Sequence, residues 1–120
     1  MDDNKIRVAA ASSDNLCINR HFGRAENFCI ADIYGNGSVI RVEERKVVPV
    51  CGMGQHDDGE LKNAVEALSD CDVVLAVRIG FGAARELEEN GITPLEVSGM
   101  IDESLQKLSS YINKFKKRGE

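Results

Sequence analysis

The stretch Asn27-Phe-Cys-Ile-Ala-Asp-Ile-Tyr34, Gly35-Asn36-Gly37, Ser38-Val-Ile-Arg-Val-Glu-Glu44 decides how the first half of this chain folds. Aromatic and β-branched residues fill both arms, and such residues suit a pleated, packed surface. The Gly-Asn-Gly segment between them tolerates positive φ, which a tight hairpin turn requires. Two strands around that turn make an antiparallel hairpin, and the second has room to run on to Val50, where Pro49 limits pairing. Upstream, Ile6-Arg-Val-Ala-Ala-Ala11 is a short apolar run. It stops at Ser12-Ser13-Asp14-Asn15, a loop signature, and reads as a third strand.

Downstream the period changes. Leu61, Ala64, Val65 and Leu68 fall on one helical face between about Asp58 and Leu68. Cys71-Asp-Val-Val-Leu-Ala-Val77 is a continuous apolar run, the pattern of a strand covered on both faces. Gly82 to Asn90 reads as a helix stopped by Asn90-Gly91, and Ile92-Thr-Pro-Leu-Glu-Val97 as a strand. A last helix begins near Asp102, with Ile101, Leu105, Leu108, Ile112 and Phe115 in one stripe. Three antiparallel strands followed by α-β-α-β-α predict an α/β fold. Its expected core is a mixed five-stranded sheet with right-handed crossovers and helices on its faces.

The chain has 120 residues, a length that fits one domain over 1–120, with the polar ends 1–4 and 116–120 expected to be flexible. Fifteen Lys and Arg against twenty Asp and Glu leave a net charge of −5, the opposite of a dedicated nucleic-acid binder. No apolar run reaches the roughly 18–20 residues of a membrane span. The polar, acidic start Met1-Asp-Asp-Asn-Lys5 is unlike a signal peptide, so a cytoplasmic location is expected. Cys17, Cys29, Cys51 and Cys71 are then expected to be reduced thiols. None stands in a C-x-x-C pair, which disfavours a zinc ribbon or a ferredoxin-type cluster. Cys29 and Cys71 sit in or beside strands and read as buried apolar fillers.

Three loops concentrate chemistry. Cys17-Ile-Asn-Arg-His-Phe-Gly-Arg24 holds His21, an imidazole able to ligate iron, between Arg20 and Arg24, which can pair with an anion. The bland alternative is a surface histidine in a polar loop. Pro49-Val-Cys51-Gly52-Met53-Gly-Gln-His56 gathers a thiol, a thioether and an imidazole between glycines that let backbone approach a ligand. Its alternative is a jointed connection. Arg78-Ile-Gly80-Phe-Gly82-Ala-Ala-Arg85 runs from strand into helix, where backbone N–H groups can bind an anion. It lacks the third small residue of a dinucleotide fingerprint, so no nucleotide cofactor is expected.

Together these loops resemble a known family. His21-Phe-Gly-Arg-Ala-Glu-Asn-Phe28 is similar to the H-F-G-x-[AC]-x-x-F stretch of the dinitrogenase iron–molybdenum cofactor-binding family, which includes NifX, the core domain of NafY and the C-terminal domain of NifB. The likeness continues in Cys51-Gly52, in Ala67-Leu-Ser-Asp-Cys71-Asp-Val-Val-Leu, in Arg78-Ile-Gly80 and in Leu87-Glu-Glu-Asn-Gly91-Ile. The resemblance implies a ribonuclease H-like fold. It implies non-catalytic binding, carriage or storage of an iron–sulfur or iron–molybdenum cluster, or its precursor. Nitrogenase or cofactor-assembly proteins are the implied partners. His21 is the implied cluster contact, with Cys51 a second expected metal ligand. A bulky, anionic, sulfide-rich guest would suit such ligands, surrounded by Arg20, Arg24 and Arg78 and by backbone at Gly52, Gly80 and Gly82. The competing class is a small acidic protein-interaction adaptor without metal cargo, followed by a redox-sensing thiol protein. Convergence of His21 and Cys51 favours the cargo reading.

Overall fold

The computed structural model describes residues 5–48 and 58–119. Strand β1 (Lys5–Ala11) is followed by a short β2 (Cys17–Ile18), a 3-10 turn (Phe22–Arg24), β3 (Asn27–Tyr34) and β4 (Val39–Lys46). Then come α1 (Asp58–Ala67), β5 (Val73–Ala76), α2 (Phe81–Glu89), β6 (Thr93–Glu96), β7 (Gly99–Met100) and α3 (Ile101–Gly119). Five strands form one sheet in the order β4-β3-β1-β5-β6, while β2 and β7 form a separate ribbon. β3 is antiparallel to both β1 and β4, and β5 is parallel to β1 and β6. Four strands therefore point one way and β3 alone is reversed. This is the mixed five-stranded α/β arrangement expected from the sequence.

Side-chain alternation along the strands divides the interior in two. Ala9, Ala11, Phe28, Ile30, Val74 and Ala76 face one side and pack with Ala64, Val65, Leu68 and Leu87 of the α1–α2 layer. Val8, Ala10, Cys29, Ala31, Val73 and Leu75 face the other and meet Ile101 and Leu105 of α3. Both faces of β1, β3 and β5 are covered, which is why Val8–Ala11, Phe28–Ala31 and Val73–Ala76 read as unbroken apolar runs. Each large side chain buried here contributes about 1.5–3 kcal/mol. Of the last helix's stripe, Ile101 and Leu105 are buried and Leu108 packs at the margin of the core. The side chains of Ile112 and Phe115 lie outside the described residues.

The hairpin turns where its glycines predicted. Gly37 has φ +94°, its N–H donates to the Tyr34 carbonyl, and the Tyr34 N–H donates to the Ser38 carbonyl, both at 2.9 Å. One irregularity interrupts the pairing. Ile30 pairs with Glu43 and Ala31 with Arg41, so Val42 has no partner and forms a bulge. The continuation towards Val50 past Pro49 lies outside the described residues. Helix α2 ends as Asn90-Gly91 predicted. Gly91 has φ +78°, its N–H donates to the Glu88 carbonyl, and the Ile92 N–H donates to the Leu87 carbonyl. That is a Schellman closure, sealed by burial of Leu87 and Ile92 in the same core. The β2–β7 ribbon and the 3-10 turn are additions, because two-residue strands are too short to display a period of two.

The sheet is also tied by charge. The Arg7 guanidinium donates to Asp32 at 2.8 and 3.0 Å and to Asp70 at 2.9 Å. Arg45 donates to Asp70 at 2.7 and 3.1 Å and to the Ala67 carbonyl. Asp32 is buried, and hydrogen bonds from Arg7 hold its carboxyl below the usual range. Arg7→Met leaves that buried carboxylate with only the longer Lys5 contact at 3.7 Å and should cost roughly 3 kcal/mol at neutral pH. Because the folded Asp32 value is lowered, the ion pair stabilises above about pH 4 and its contribution fades as pH falls through the folded value. Urea titrations at pH 7 and pH 3 should show a large penalty at the first and a smaller one at the second. Equal penalties would contradict the ion-pair account.

Candidate functional site

The loop leaving the carboxyl end of β1 is organised by short polar side chains. The Ser12 hydroxyl accepts N–H bonds from Asp14 and Asn15, and the Asp14 carboxylate accepts those of Leu16 and Cys17. These bonds hold the Asp14 carboxyl below its usual range, with Cys17 N–H the larger contributor and Leu16 next. Asn15 adopts φ +62°, a conformation that Asn tolerates locally. The Asn27 amide closes the loop by donating to the Ser12 carbonyl and the Asn15 side chain.

Residues 20–22 then lie along the end of β5 like an extra strand. The Val77 N–H donates to the Arg20 carbonyl at 3.0 Å, and the Phe22 N–H donates to the Arg78 carbonyl at 2.9 Å. His21 and Arg78 form a parallel bridge pair. Phe22 is inserted in the core, 5.9 Å from Phe28 between ring centres. Its neighbours Arg20 and His21 are left exposed. Beyond Arg78, the Glu96 carboxylate accepts the Ile79 N–H at 2.8 Å, and Gly80 is the N-cap of α2. His21, Arg78 and the α2 N-terminus thus meet at the carboxyl edge of β1 and β5. Chain direction switches there, since β1 leads outward to β3 while β5 leads to α2. That is where open α/β sheets place ligands.

Next to this edge Ser12, Ser13, Arg20, Arg24, Glu26, Asn27 and Lys46 line a cavity of about 350 Å³. Three cations face a single carboxylate. Among the described residues Arg20, Arg24, Lys46 and Arg78 form no ion pair, whereas Arg7, Arg41, Arg45 and Arg85 all do. In a chain of net charge −5, uncompensated positive charge gathered at one place is a local field for an anion. The Asn27 Oδ1 atom is buried and has no hydrogen-bond partner among the described residues. Asn27 itself is one of the residues that line the cationic cavity.

The structure therefore brings together His21, Arg20, Arg24, Arg78, Gly80 and Gly82. Cys51 and Gly52, with His56, lie outside the described residues. A Cβ placed on Gly80 or Gly82 would meet nothing within 4 Å, and Gly80 has φ −60°. Neither glycine is forced by backbone or packing, and both leave the helix N-terminus uncovered. Lys46 and Asn27 were not singled out from the sequence. The signal was available in the hairpin: counting outward from the turn brings Lys46 opposite Asn27 once the one-residue bulge is included. Among the described residues no group of three or more His, Cys, Asp or Glu gathers as a self-sufficient metal centre.

The sequence matches the family model described as dinitrogenase iron-molybdenum cofactor over residues 4–111. It is 34% identical over 110 residues to the FeMo cofactor biosynthesis protein NifB of Frankia alni, a match covering 89% of this chain and 21% of NifB. It is 31% identical over 101 residues to Protein NifX of Azotobacter vinelandii, covering 81% of this chain and 60% of NifX. The chain thus spans about a fifth of that NifB and three fifths of that NifX. Its fold is similar to the crystal structure of PH0822, with a TM-score of 0.68 and 26% identity over 88% of this chain and 90% of that one.

The thiols differ in accessibility. Cys29 and Cys71 are buried, while Cys17 is half-exposed. Burial pushes the Cys29 thiol up, and burial together with the Asp70 carboxylate pushes Cys71 up to about 12. Thiolate is the reactive form, so iodoacetamide should modify Cys17 at least tenfold faster than Cys29 or Cys71. Peptide mass spectrometry over a time course measures this. Equal rates at Cys17 and Cys71 would show that Cys71 is not shielded in solution.

Proposed function

The chain belongs to the dinitrogenase iron–molybdenum cofactor family, and from that premise we propose that it binds, carries or stores an iron–sulfur or iron–molybdenum cluster, or its precursor, without transforming it. One observation carries the reading: Arg20, Arg24 and Lys46 line the cavity beside the carboxyl edge, and Arg78 is bridged to exposed His21 on that edge, none of the four ion-paired among the described residues. A preformed cluster arrives with its own sulfides and net negative charge, so the protein needs only one or two ligands and a positive surround. His21 would supply an imidazole to an iron atom, and Cys51 a thiolate. Guanidinium groups and the N–H groups after Gly80 would donate to sulfides, which tunes such clusters. An exposed edge permits entry and release, which suits a carrier better than a buried centre would.

Membership supports the rest of the reading. The domain acts in the cytoplasm, in nitrogenase cofactor biosynthesis or a related metal-cluster pathway, with nitrogenase or cofactor-assembly proteins as partners and no nucleotide. The sheet order with a single reversed strand supports classing the fold as ribonuclease H-like. Fold does not dictate chemistry, and the site residues here fit cargo binding rather than hydrolysis.

His21→Ala should weaken cluster binding at least tenfold, about 1.4 kcal/mol, with the melting temperature unchanged because the side chain is exposed. Anaerobic titration with a purified or reconstituted iron–sulfur precursor, followed by absorbance, is the measurement. Bound cluster should also protect Cys51 from iodoacetamide. Unaltered affinity in the His21 variant would remove the imidazole from the site, and unaltered Cys51 reactivity would remove the thiolate.

A further inference from the structure

A second constellation lies outside the cargo site. In the β2–β7 ribbon Cys17 is the direct cross-strand partner of Met100, and Ile18 of Gly99. The Cys17 Sγ and Met100 Sδ atoms are 3.9 Å apart. Cys17 is half-exposed and Met100 is 44% exposed, so the pair lies at the surface of the protein. We propose that the Cys17–Met100 sulfur pair is a binding site for a soft monovalent cation of the copper(I) or silver(I) type, separate from the cargo site.

The argument is geometric and chemical. With metal–thiolate bonds of about 2.3 Å, sulfurs at this separation subtend roughly 115° at a shared ion. That angle suits a three-coordinate centre, whose third position here opens to solvent. Thiolate and thioether are soft donors and select copper(I) over harder ions. No group of three or more His, Cys, Asp or Glu gathers among the described residues. The pair therefore falls short of the four ligands that zinc usually takes, while a low-coordinate soft cation is satisfied by two sulfurs and one incoming ligand. An open third position also allows hand-over by ligand exchange with a partner thiolate.

The pair is held by backbone rather than by chance rotamers. Gly99 has φ +109°, a left-handed conformation that L side chains rarely adopt, and it sets Met100 opposite Cys17. The Ile101 N–H donates to the Leu16 carbonyl at 2.8 Å, and the Cys17 N–H donates to the Asp14 carboxylate at 3.0 Å. Ile18 and Ile101, which flank the two sulfur residues in sequence, are buried in one core and anchor both strands. The Arg41 guanidinium bridges the Asn15 carbonyl and the Asp102 carboxylate, which lie beside the two strands just beyond the same end of the ribbon. The donors are thus positioned before any ion arrives.

The test is an anaerobic titration of the full chain with copper(I), in competition with a chromophoric copper(I) chelator, comparing the wild type with Cys17→Ser and Met100→Leu. Both substitutions are conservative at solvent-accessible positions, and thermal melts check that the fold survives. The expected result is one equivalent of copper(I) lost in Cys17→Ser, whatever the other cysteines retain. For the same equivalent, affinity should fall at least tenfold in Met100→Leu, and a tenfold excess of zinc should not displace it. Silver(I) should protect Cys17 from iodoacetamide in the wild type and less so in Met100→Leu. Wild-type stoichiometry in Cys17→Ser, wild-type affinity in Met100→Leu, or displacement by zinc would each overturn the proposal.

Discussion

Phe22 is 2% exposed, and its burial is the interaction on which the candidate site depends. An aromatic ring committed to the core drags its backbone against the end of β5, where Arg20 and Phe22 exchange main-chain hydrogen bonds with Val77 and Arg78. Once residue 22 points inward, its neighbour His21 is turned towards solvent beside Arg78. A polar loop rich in Ser, Asn and Asp has little apolar area of its own with which to order itself. Here one buried ring and a few side-chain hydrogen bonds do so. The histidine needs no packing partner, because its position is inherited from the residue after it.

Charge is distributed to the same effect. Arg7 and Arg45 are consumed by Asp32, Asp70 and Glu43, and the result is a structural clamp across β1, β3, β4 and the turn before β5. At the carboxyl end, Arg20, Arg24, Lys46 and Arg78 carry no such partners among the described residues. One set of cations is spent on cohesion and the other is left for a guest, even where the two are sequence neighbours, as Arg45 and Lys46 are. An acidic net charge gives no hint of this, because composition averages over both sets.

Much of the architecture was legible in the residues. The Gly-Asn-Gly turn, the helix stop at Asn90-Gly91 and the runs of β1, β3 and β5 each carry a local physical signature, and each appears where that signature puts it. The His21 loop and the Arg78–Gly82 segment were recognisable from their residue types, and the sheet connectivity brings them to one edge. What local patterns do not contain is pairing across distance. Cys17 and Met100 are 83 positions apart in sequence, and no period links two strands of two residues each. Lys46 enters the cavity only because the hairpin is counted across a bulge at Val42. Asn27 read as one more strand residue, since nothing local tells that its amide closes the loop opposite.

That bulge has a consequence beyond register. β4 and β6 are the outer strands of the sheet, and an outer strand is a template on which another molecule can add a strand of its own. The irregularity at Val42 breaks the regular spacing of donors and acceptors along β4, which also carries Arg41, Glu43, Glu44, Arg45 and Lys46. β6 is only four residues long and contains Pro94, which has no N–H to offer. Both rims are poor templates for edge-to-edge growth. The chain can therefore keep an apolar, doubly covered sheet interior and still resist the stacking that leads from a β-rich monomer to a fibril.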